Sequence, residues 1–319
     1  MSNRESHVLV TGGAGFIGSH VVERLIQDNH SITVVDNFDP FYSREVKEKN
    51  LSSFISHPKV RFVELDICDE DALNEKLNDN YDAIIHLASK AGVRPSINNP
   101  IAYQQVNVAG TQLLLEFAKR KGIVQFVFAS SSSVYGINKN VPWKESDGLL
   151  NPISPYASTK ISGELLGHVY SHLFGIRFIA LRFFTVFGPR QRPDLAIHAF
   201  SKKMLAQQPI DFYGDGNTKR DYTYIDDIVT GVISALHYNK TTYEIINLGN
   251  HHTVSLAEML SVLEDVFEVK AVINRLPEQP GDVALTYADI SKAGQLLNYH
   301  PETPFREGIE KFKNWLINL

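Results

Sequence analysis

One cysteine, Cys68, stands alone in 319 residues, so no disulfide within the chain can staple the fold. Runs of charge are missing as well: 31 basic and 36 acidic side chains are interspersed, and a net charge of -5 gives neither nucleic acid nor an anionic membrane a footing. No apolar stretch approaches the roughly 20 residues of a membrane span, because charges break the longest candidates every few positions. The N-terminal MSNRESH passes into VLVTGG without an apolar signal segment, which together with the solitary thiol predicts a cytoplasmic location. Neither an internal repeat nor a low-complexity tail is present. The histidines, His251 and His252 included, show no ligand spacing, so no metal is assigned. What these absences leave is an enzyme-sized globular chain in which 43% hydrophobic residues can fill one large domain or two modest ones.

Short apolar, β-branched runs are plentiful instead: HVLVT (7–11), ITVVD (32–36), VRFVELD (60–66), DAIIHLA (82–88) and VQFVFAS (124–130). Each reads as a strand buried on both faces. Amphipathic segments lie between most of them, among them VNVAGTQLLLEFAKRKG, with Val106, Gly110, Leu113, Leu114 and Phe117 on one face and Gly122 as its stop. Strand and helix in alternation predict an α/β fold with a Rossmann-type, doubly wound parallel sheet. After RFIALRFF (177–184) the texture becomes rich in Pro, Gly and Arg. The expected division is therefore a cofactor-binding domain over 1–184 and a smaller α/β substrate lobe over 185–319, with a return to the first sheet near 222–250.

Gly12, Gly15 and Gly18 form a G-x-x-G-x-x-G turn between the first strand and the first helix, enclosing Phe16 and Ile17. Glycines there let the backbone approach a pyrophosphate, which then meets amide donors and the positive end of the helix dipole. Asp36 ends the next strand, 18 residues beyond Gly18, where an acidic side chain accepts from the ribose diol and repels a 2'-phosphate. The expected cofactor is NAD rather than NADP. Asn37, the pair Asp66 and Ile67, and the trio Leu87, Ala88 and Ser89 follow their strands at the carboxyl edge where such sheets bind ligands, although polar caps of strand ends look much the same.

SSSSVYG (130–136) places four hydroxyls at the end of the fifth strand. Downstream, NPISPYASTK puts Tyr156 and Lys160 four apart after Pro155, so both side chains share one helix face. Bringing a phenol from a pKa of about 10 to about 7 takes roughly 4 kcal/mol of preference for the phenolate, and a nearby ammonium supplies part of it. A tyrosine and a lysine at this spacing also decorate solvated helices. Beside a dinucleotide turn and a serine-rich strand end, the pair points to proton transfer.

In these motifs, and in their order along essentially the whole chain, the sequence resembles the extended short-chain dehydrogenase/reductases of the nucleotide-sugar epimerase and dehydratase group: TGGAGFIG, DN, DI, HLA, SSSSVYG, YxxxK, GPRQRPD, RDYTYIDD and PGDV. The resemblance implies a tightly held NAD and a UDP- or dTDP-sugar substrate. It makes Tyr156 the general base, lets Lys160 hold the nicotinamide ribose and lower the tyrosine pKa, and gives Ser131 a hydrogen bond to the reacting sugar hydroxyl. It also implies a homodimer through helices at about 100–121 and 156–173, whose apolar faces would equally serve as core. Dehydratases of the group carry an Asp-Glu pair after the catalytic hydroxyl, and UDP-glucuronate decarboxylases a glutamate at the second of those positions. Ser132 and Ser133 stand there, which implies epimerisation at C4: the 4-hydroxyl proton goes to Tyr156, hydride passes to NAD, and the 4-keto sugar turns over before hydride returns.

Ser132, Ser133, Thr185 and Arg192 are candidates to seat a carboxylate on the sugar's sixth carbon, with arginine offering a bidentate fork. FFTVFGPRQRPDLA and QPGDVALTYAD resemble UDP-glucuronate 4-epimerases more than galactose epimerases. By resemblance, Arg220 and Asp282 hold the nucleotide. Gln279 replaces an arginine common in that loop, with Arg275 as a possible substitute, while Arg94 and Ser96 face either the cofactor phosphates, the sugar or solvent. The expected reaction is therefore interconversion of UDP-glucuronate and UDP-galacturonate. Its rivals are a UDP-glucose or UDP-N-acetylglucosamine 4-epimerase, a UDP-glucuronate decarboxylase, a net oxidoreductase, and an NAD-binding sensor or scaffold without turnover, which the fold alone permits.

Overall fold

Strands whose apolar residues run without interruption need cover on both faces, and here they lie side by side at the centre of the molecule, except VRFVE (60–64), which closes one edge of the sheet with only Val63 buried and Arg61 and Glu64 exposed. The computed structural model describes residues 5–148, 151–277 and 283–318. Its strands are β1 (His7–Thr11), β2 (Ser31–Asp36), β3 (Val60–Glu64), β4 (Ala83–His86), β5 (Gln125–Ser131), β6 (Arg177–Phe183), β7 (Thr185–Phe187), β8 (Ile210–Tyr213), β9 (Lys219–Tyr224), β10 (Tyr243–Leu248), β11 (Thr253–Ser255) and β12 (Ile273–Leu276). Seven of them form one sheet in the order β10-β6-β5-β4-β1-β2-β3, every pairing parallel. The strand order reverses between β1 and β4, the point at which doubly wound sheets open a crevice for ligands.

The period of two sorts side chains onto the two faces. Val8, Val10, Ile85 and Val127 enter one core, while Leu9, Ile84, Phe126 and Phe128 enter the other. On the first face the helix Ile225–Leu236 packs against Phe16–Gln27, and β10 then joins the sheet beside β6, so the chain after 222 closes on the first half. On the second face Phe126, Phe178 and Tyr243 form a ladder of near-parallel rings with centroids 5.3 and 6.2 Å apart. The fully buried Phe126 and Phe178 each contribute about 1.5–3 kcal/mol.

The helix Pro155–Phe174 lies over that ladder. Ser154 caps it by accepting the Ala157 amide at 3.1 Å, Pro155 fits its first turn, and Gly175 ends it at φ +68°. Gly163 and Gly167 make the close approach possible: a Cβ on Gly167 would sit 2.2 Å from Phe178 Cε1. The neighbouring helix departs from the expected face. Gln104–Gly110 winds as a π-helix before Thr111–Lys121 continues as α-helix to Gly122. The wider turn rotates the second half, so Leu115 and Ala118 are buried with Leu114 and Phe117, whereas Leu113 is half-buried.

Past β6 the chain builds a smaller set of strands, β11-β9-β7 and β12-β8. Buried Asp221 on β9 ties the turn before β11 and the segment at Ala288 to its strand, accepting from the amides of Asn250, His251 and Ala288 at 2.7, 3.2 and 3.1 Å. Burial pushes this carboxyl up to about 6. Trp143, stacked on Tyr135, clips the 137–148 loop to the segment around Tyr287. Among the described residues no helix is long and apolar enough to cross a membrane.

Candidate active site

A cleft of roughly 610 Å³ runs along the carboxyl ends of the central strands, from the β1 turn to the start of β7. At one end the Gly12 amide donates to Val35 O at 2.7 Å and the Gly15 amide to Gly12 O at 3.1 Å, folding the turn against β2. Gly12 has φ +74°, and a Cβ there would lie 2.6 Å from the Ala88 amide. A Cβ on Gly18 would lie 2.2 Å from Gly12 O, so side chains at these positions would force the helix off the turn. Gly15 caps the helix Phe16–Gln27 with no side-chain acceptor, leaving its first amides facing the cleft. Asp36 lines the wall beyond. Its carboxylate accepts from the Ala14 and Phe38 amides at 3.2 and 2.9 Å and pairs with buried Lys47 at 3.4 Å. An amide-lined turn with room only for hydrogen, followed by an acidic wall, fits a dinucleotide bearing a ribose diol. Phe16, Ile17, Asn37, Asp66, Ile67, Leu87, Ala88 and Ser89 line the same stretch.

At the other end three consecutive residues of β5 meet the helix Pro155–Phe174. Lys160 is buried and donates from Nζ to Ala129 O at 2.7 Å. Burial pushes its ammonium down to about 7, opposed by the charge of Glu164. Burial likewise pushes the Tyr156 phenol up, opposed by a Ser131 hydrogen bond and by the charge of Arg192. Lys160 Nζ stands 5.7 Å from the Tyr156 ring centroid, and the Tyr103 ring closes on Tyr156 edge to face at 6.3 Å. Ser131 Oγ also accepts the Ser133 amide at 3.2 Å, opening a 3₁₀ turn over Ser132–Tyr135. Ser133 Oγ is buried without a hydrogen-bond partner. A hydroxyl, a phenol and an ammonium converge as a proton-transfer cluster requires.

Ser132, Ser133, Thr185, Arg192 and Arg220 line this end. Arg220 donates to Val283 O at 2.7 Å. Arg192 differs from expectation: its fork grips Asp194 with Nε–Oδ1 of 2.9 Å and Nη2–Oδ2 of 2.6 Å, so its two parallel donors are already engaged. Arg94 does not line the cleft. It follows Gly92 into a short helix, is exposed, and lies 5.5 Å over the Tyr213 ring. Ser96 turns inward to Val93 O at 2.5 Å, and Arg275 on β12 lies over Phe212 of β8; neither lines the cleft. Asp282 and Gln279 fall outside the described residues.

The geometry adds residues that the motifs did not single out. Asn107, on the π-helical turn, receives the Lys90 amide at 2.8 Å and donates to Thr159 Oγ1 at 3.0 Å, tying the β4 loop to the Tyr156 helix. A π-turn has no sequence signature comparable to a glycine turn. Ser130 does more than end the strand: its hydroxyl donates to buried Glu164 at 2.5 Å. The four-residue step from Lys160 to Glu164 was the available signal.

A model of the NAD dependent epimerase/dehydratase family matches residues 8–249, more than half the chain. The chain belongs to that family. UDP-glucuronate 4-epimerase of Thermodesulfobacterium geofontis is 40% identical over 312 residues, covering 97% of this chain and 95% of the relative. The crystal structure of UDP-glucuronic acid 4-epimerase from Bacillus cereus, in complex with UDP-glucuronic acid and NAD, superposes with a TM-score of 0.92 at 38% identity, covering 98% of this chain and 99% of that one. UDP-N-acetylglucosamine 4-epimerase from Methanobrevibacter ruminantium, in complex with UDP-N-acetylmuramic acid, gives 0.91 at 32% identity over 99% of both chains. Membership in the epimerase/dehydratase family thus agrees with the glycine turn, the acidic end of β2 and the Tyr156–Lys160 pair.

Proposed function

We propose that this protein inverts C4 of a UDP-sugar, interconverting UDP-glucuronate and UDP-galacturonate. The observation that carries the reading is the gathering of Ser131, Tyr156 and Lys160 at the end of β5, beside hydroxyls rather than carboxylates at 132 and 133. NAD, when bound, supplies reversible hydride transfer at C4. Gly12, Gly15, Phe16, Ile17, Gly18, Asp36, Asn37, Asp66, Ile67, Leu87, Ala88 and Ser89 hold it, with Tyr156 and Lys160 at its reactive end. Tyr156 takes the C4 hydroxyl proton and later gives it back, Ser131 orients that hydroxyl, and Lys160 favours the phenolate by its charge. Ser132, Ser133, Thr185 and Arg192 surround the sugar, Ser133 with an unpaired buried hydroxyl to offer, and Arg220 holds the nucleotide. Without an acid-base pair at 132 and 133, neither dehydration nor decarboxylation has its extra proton-transfer group.

One observation favours a neutral hexose instead. Asp194 occupies the Arg192 fork, so a C6 carboxylate has to displace it while a hydroxymethyl group does not. Supplying UDP-glucuronate, UDP-glucose and UDP-N-acetylglucosamine in turn, without added NAD, and following products by NMR separates the readings. Turnover of UDP-glucuronate to UDP-galacturonate is expected; turnover of a neutral UDP-hexose with UDP-glucuronate untouched would refute the uronate assignment. Loss of turnover in Tyr156→Phe separates an enzyme from a sensor or scaffold.

The working form we propose is a cytoplasmic homodimer, with residues 1–184 and the return near 222–250 serving NAD and most of 185–319 serving the nucleotide sugar. Support for the dimer comes from Leu165, Val169 and Leu173. They are exposed at four-residue steps on the Pro155–Phe174 helix, opposite the face that covers the sheet.

A further inference from the structure

One turn beyond Lys160, the helix Pro155–Phe174 carries Glu164, a buried carboxylate for which the proton transfers above have no use. It grips Arg182 of β6 through two parallel hydrogen bonds, Nε–Oε1 of 2.9 Å and Nη2–Oε2 of 2.8 Å, and accepts the Ser130 hydroxyl. Arg182 in turn lies 4.7 Å over the Tyr135 ring, whose hydroxyl donates to Asn247 at 2.7 Å. A buried ion pair is weak evidence for stability, because apolar replacements of similar volume are often as stable. Position is more informative. Three consecutive turns of one helix engage the three last residues of one strand: Tyr156 meets Ser131, Lys160 holds Ala129 O, and Glu164 accepts from Ser130 Oγ.

Resting on the epimerase reading, we propose that Glu164 is a positioning residue for the reaction, keeping the Lys160 ammonium charged and the strand end Ala129–Ser131 in register with Tyr156. Burial alone drives Lys160 toward the neutral amine, and the Glu164 carboxylate is the charge that opposes it. The other groups facing this ammonium do not replace it. Tyr156 on the same helix is uncharged until it gives up its proton. His86 on β4 is held neutral by burial, down to about 3, between Thr11 and Thr111. Arg182 on β6 is itself a cation, gripped by Glu164.

Two variants test the assignment, each checked for bound NAD and for a native circular-dichroism spectrum. In Glu164→Gln the Lys160 ammonium, followed by NMR of 13C-labelled lysine, should titrate about one pH unit lower than in the wild type. At pH 8 kcat should fall about tenfold, with the alkaline limb displaced downward and KM for the UDP-sugar little changed. Glu164→Asp keeps the charge, so its Lys160 titration should stay near that of the wild type, and it keeps the test open if the glutamine variant does not fold. An unchanged Lys160 titration in Glu164→Gln overturns the proposal. So does an Asp variant that titrates low, or a loss confined to KM. Should the wild type turn over no UDP-sugar while Glu164→Gln still displaces the Lys160 titration, the epimerase reading fails and the electrostatic role stands.

Discussion

Replacing Lys160 by methionine removes one positive charge while keeping a stem of similar length against Phe128. The ammonium stands 5.7 Å from the Tyr156 ring centroid. At an effective dielectric of roughly 20, a unit charge at that separation is worth about 3 kcal/mol, or about two pKa units on the phenol. The phenolate fraction near neutrality should then fall about 100-fold, and kcat with it. The pH dependence is more discriminating than the size of the loss. In the variant, kcat should climb about tenfold per pH unit up to the displaced phenol pKa. In the wild type the ammonium is pushed down to about 7, so its help is complete below that pH and fades above it, and the two profiles should converge at high pH. Initial rates of C4 inversion by NMR at saturating UDP-sugar, from pH 6 to about 10, provide the assay. Bound NAD must be quantified alongside, because the function proposed above also gives this lysine the nicotinamide end. A variant that retains NAD and has kcat within about threefold of the wild type would refute the electrostatic account, as would a loss that does not diminish with pH.

Gly167→Ala brings a methyl group to within 2.2 Å of the Phe178 ring edge. Its overpacking should cost about 1–3 kcal/mol and lower the melting temperature by several degrees in differential scanning fluorimetry; an unchanged melt would mean that the helix has slack. Asp36→Asn removes the charge that disfavours a 2'-phosphate and frees Lys47, so the preference for NADH over NADPH in fluorescence titrations should fall about tenfold, and an unaltered ratio would assign selectivity elsewhere. Leu165→Asp combined with Leu173→Asp places two charges on side chains 63% and 62% exposed in the single chain. Light scattering should then report a monomer, whereas a wild type already monomeric would count against the dimer.

The parallel sheet was legible because consecutive apolar residues such as AIIH in β4 and QFVFA in β5 have no stable home except between two layers. The glycine turn and the Tyr156–Lys160 pair were legible because both are local, needing only a backbone without side chains and one helical repeat. The orientation of Arg94 was not, since a cation after a strand end is equally suited to the cleft and to an outer aromatic ring such as Tyr213. Nor was the Arg192–Asp194 fork. Asp194 sits two residues away in plain view, but whether an arginine faces its neighbour or the cleft depends on how the 188–195 loop folds against the body. The rotation that buries Leu115 in place of Leu113 came from one wide turn in a helix whose composition is otherwise ordinary.

The seam where Gly163 and Gly167 lie against Phe128 and Phe178 sets the thickness of the layer beneath the proton-transfer pair. With no side chain between helix backbone and ring, the distance from sheet to Tyr156 is a hard-sphere dimension rather than the average of a deformable contact. The residues proposed above for the sugar are mounted differently: Ser132 and Ser133 lie on a short turn, Thr185 opens the three-residue strand β7, and Arg192 lies in a loop. Engineering of sugar preference should therefore begin at 132, 133, 185, 192 and 194, where the chemistry stays anchored while the pocket is reshaped. Changes along the ring seam would detune every substrate alike.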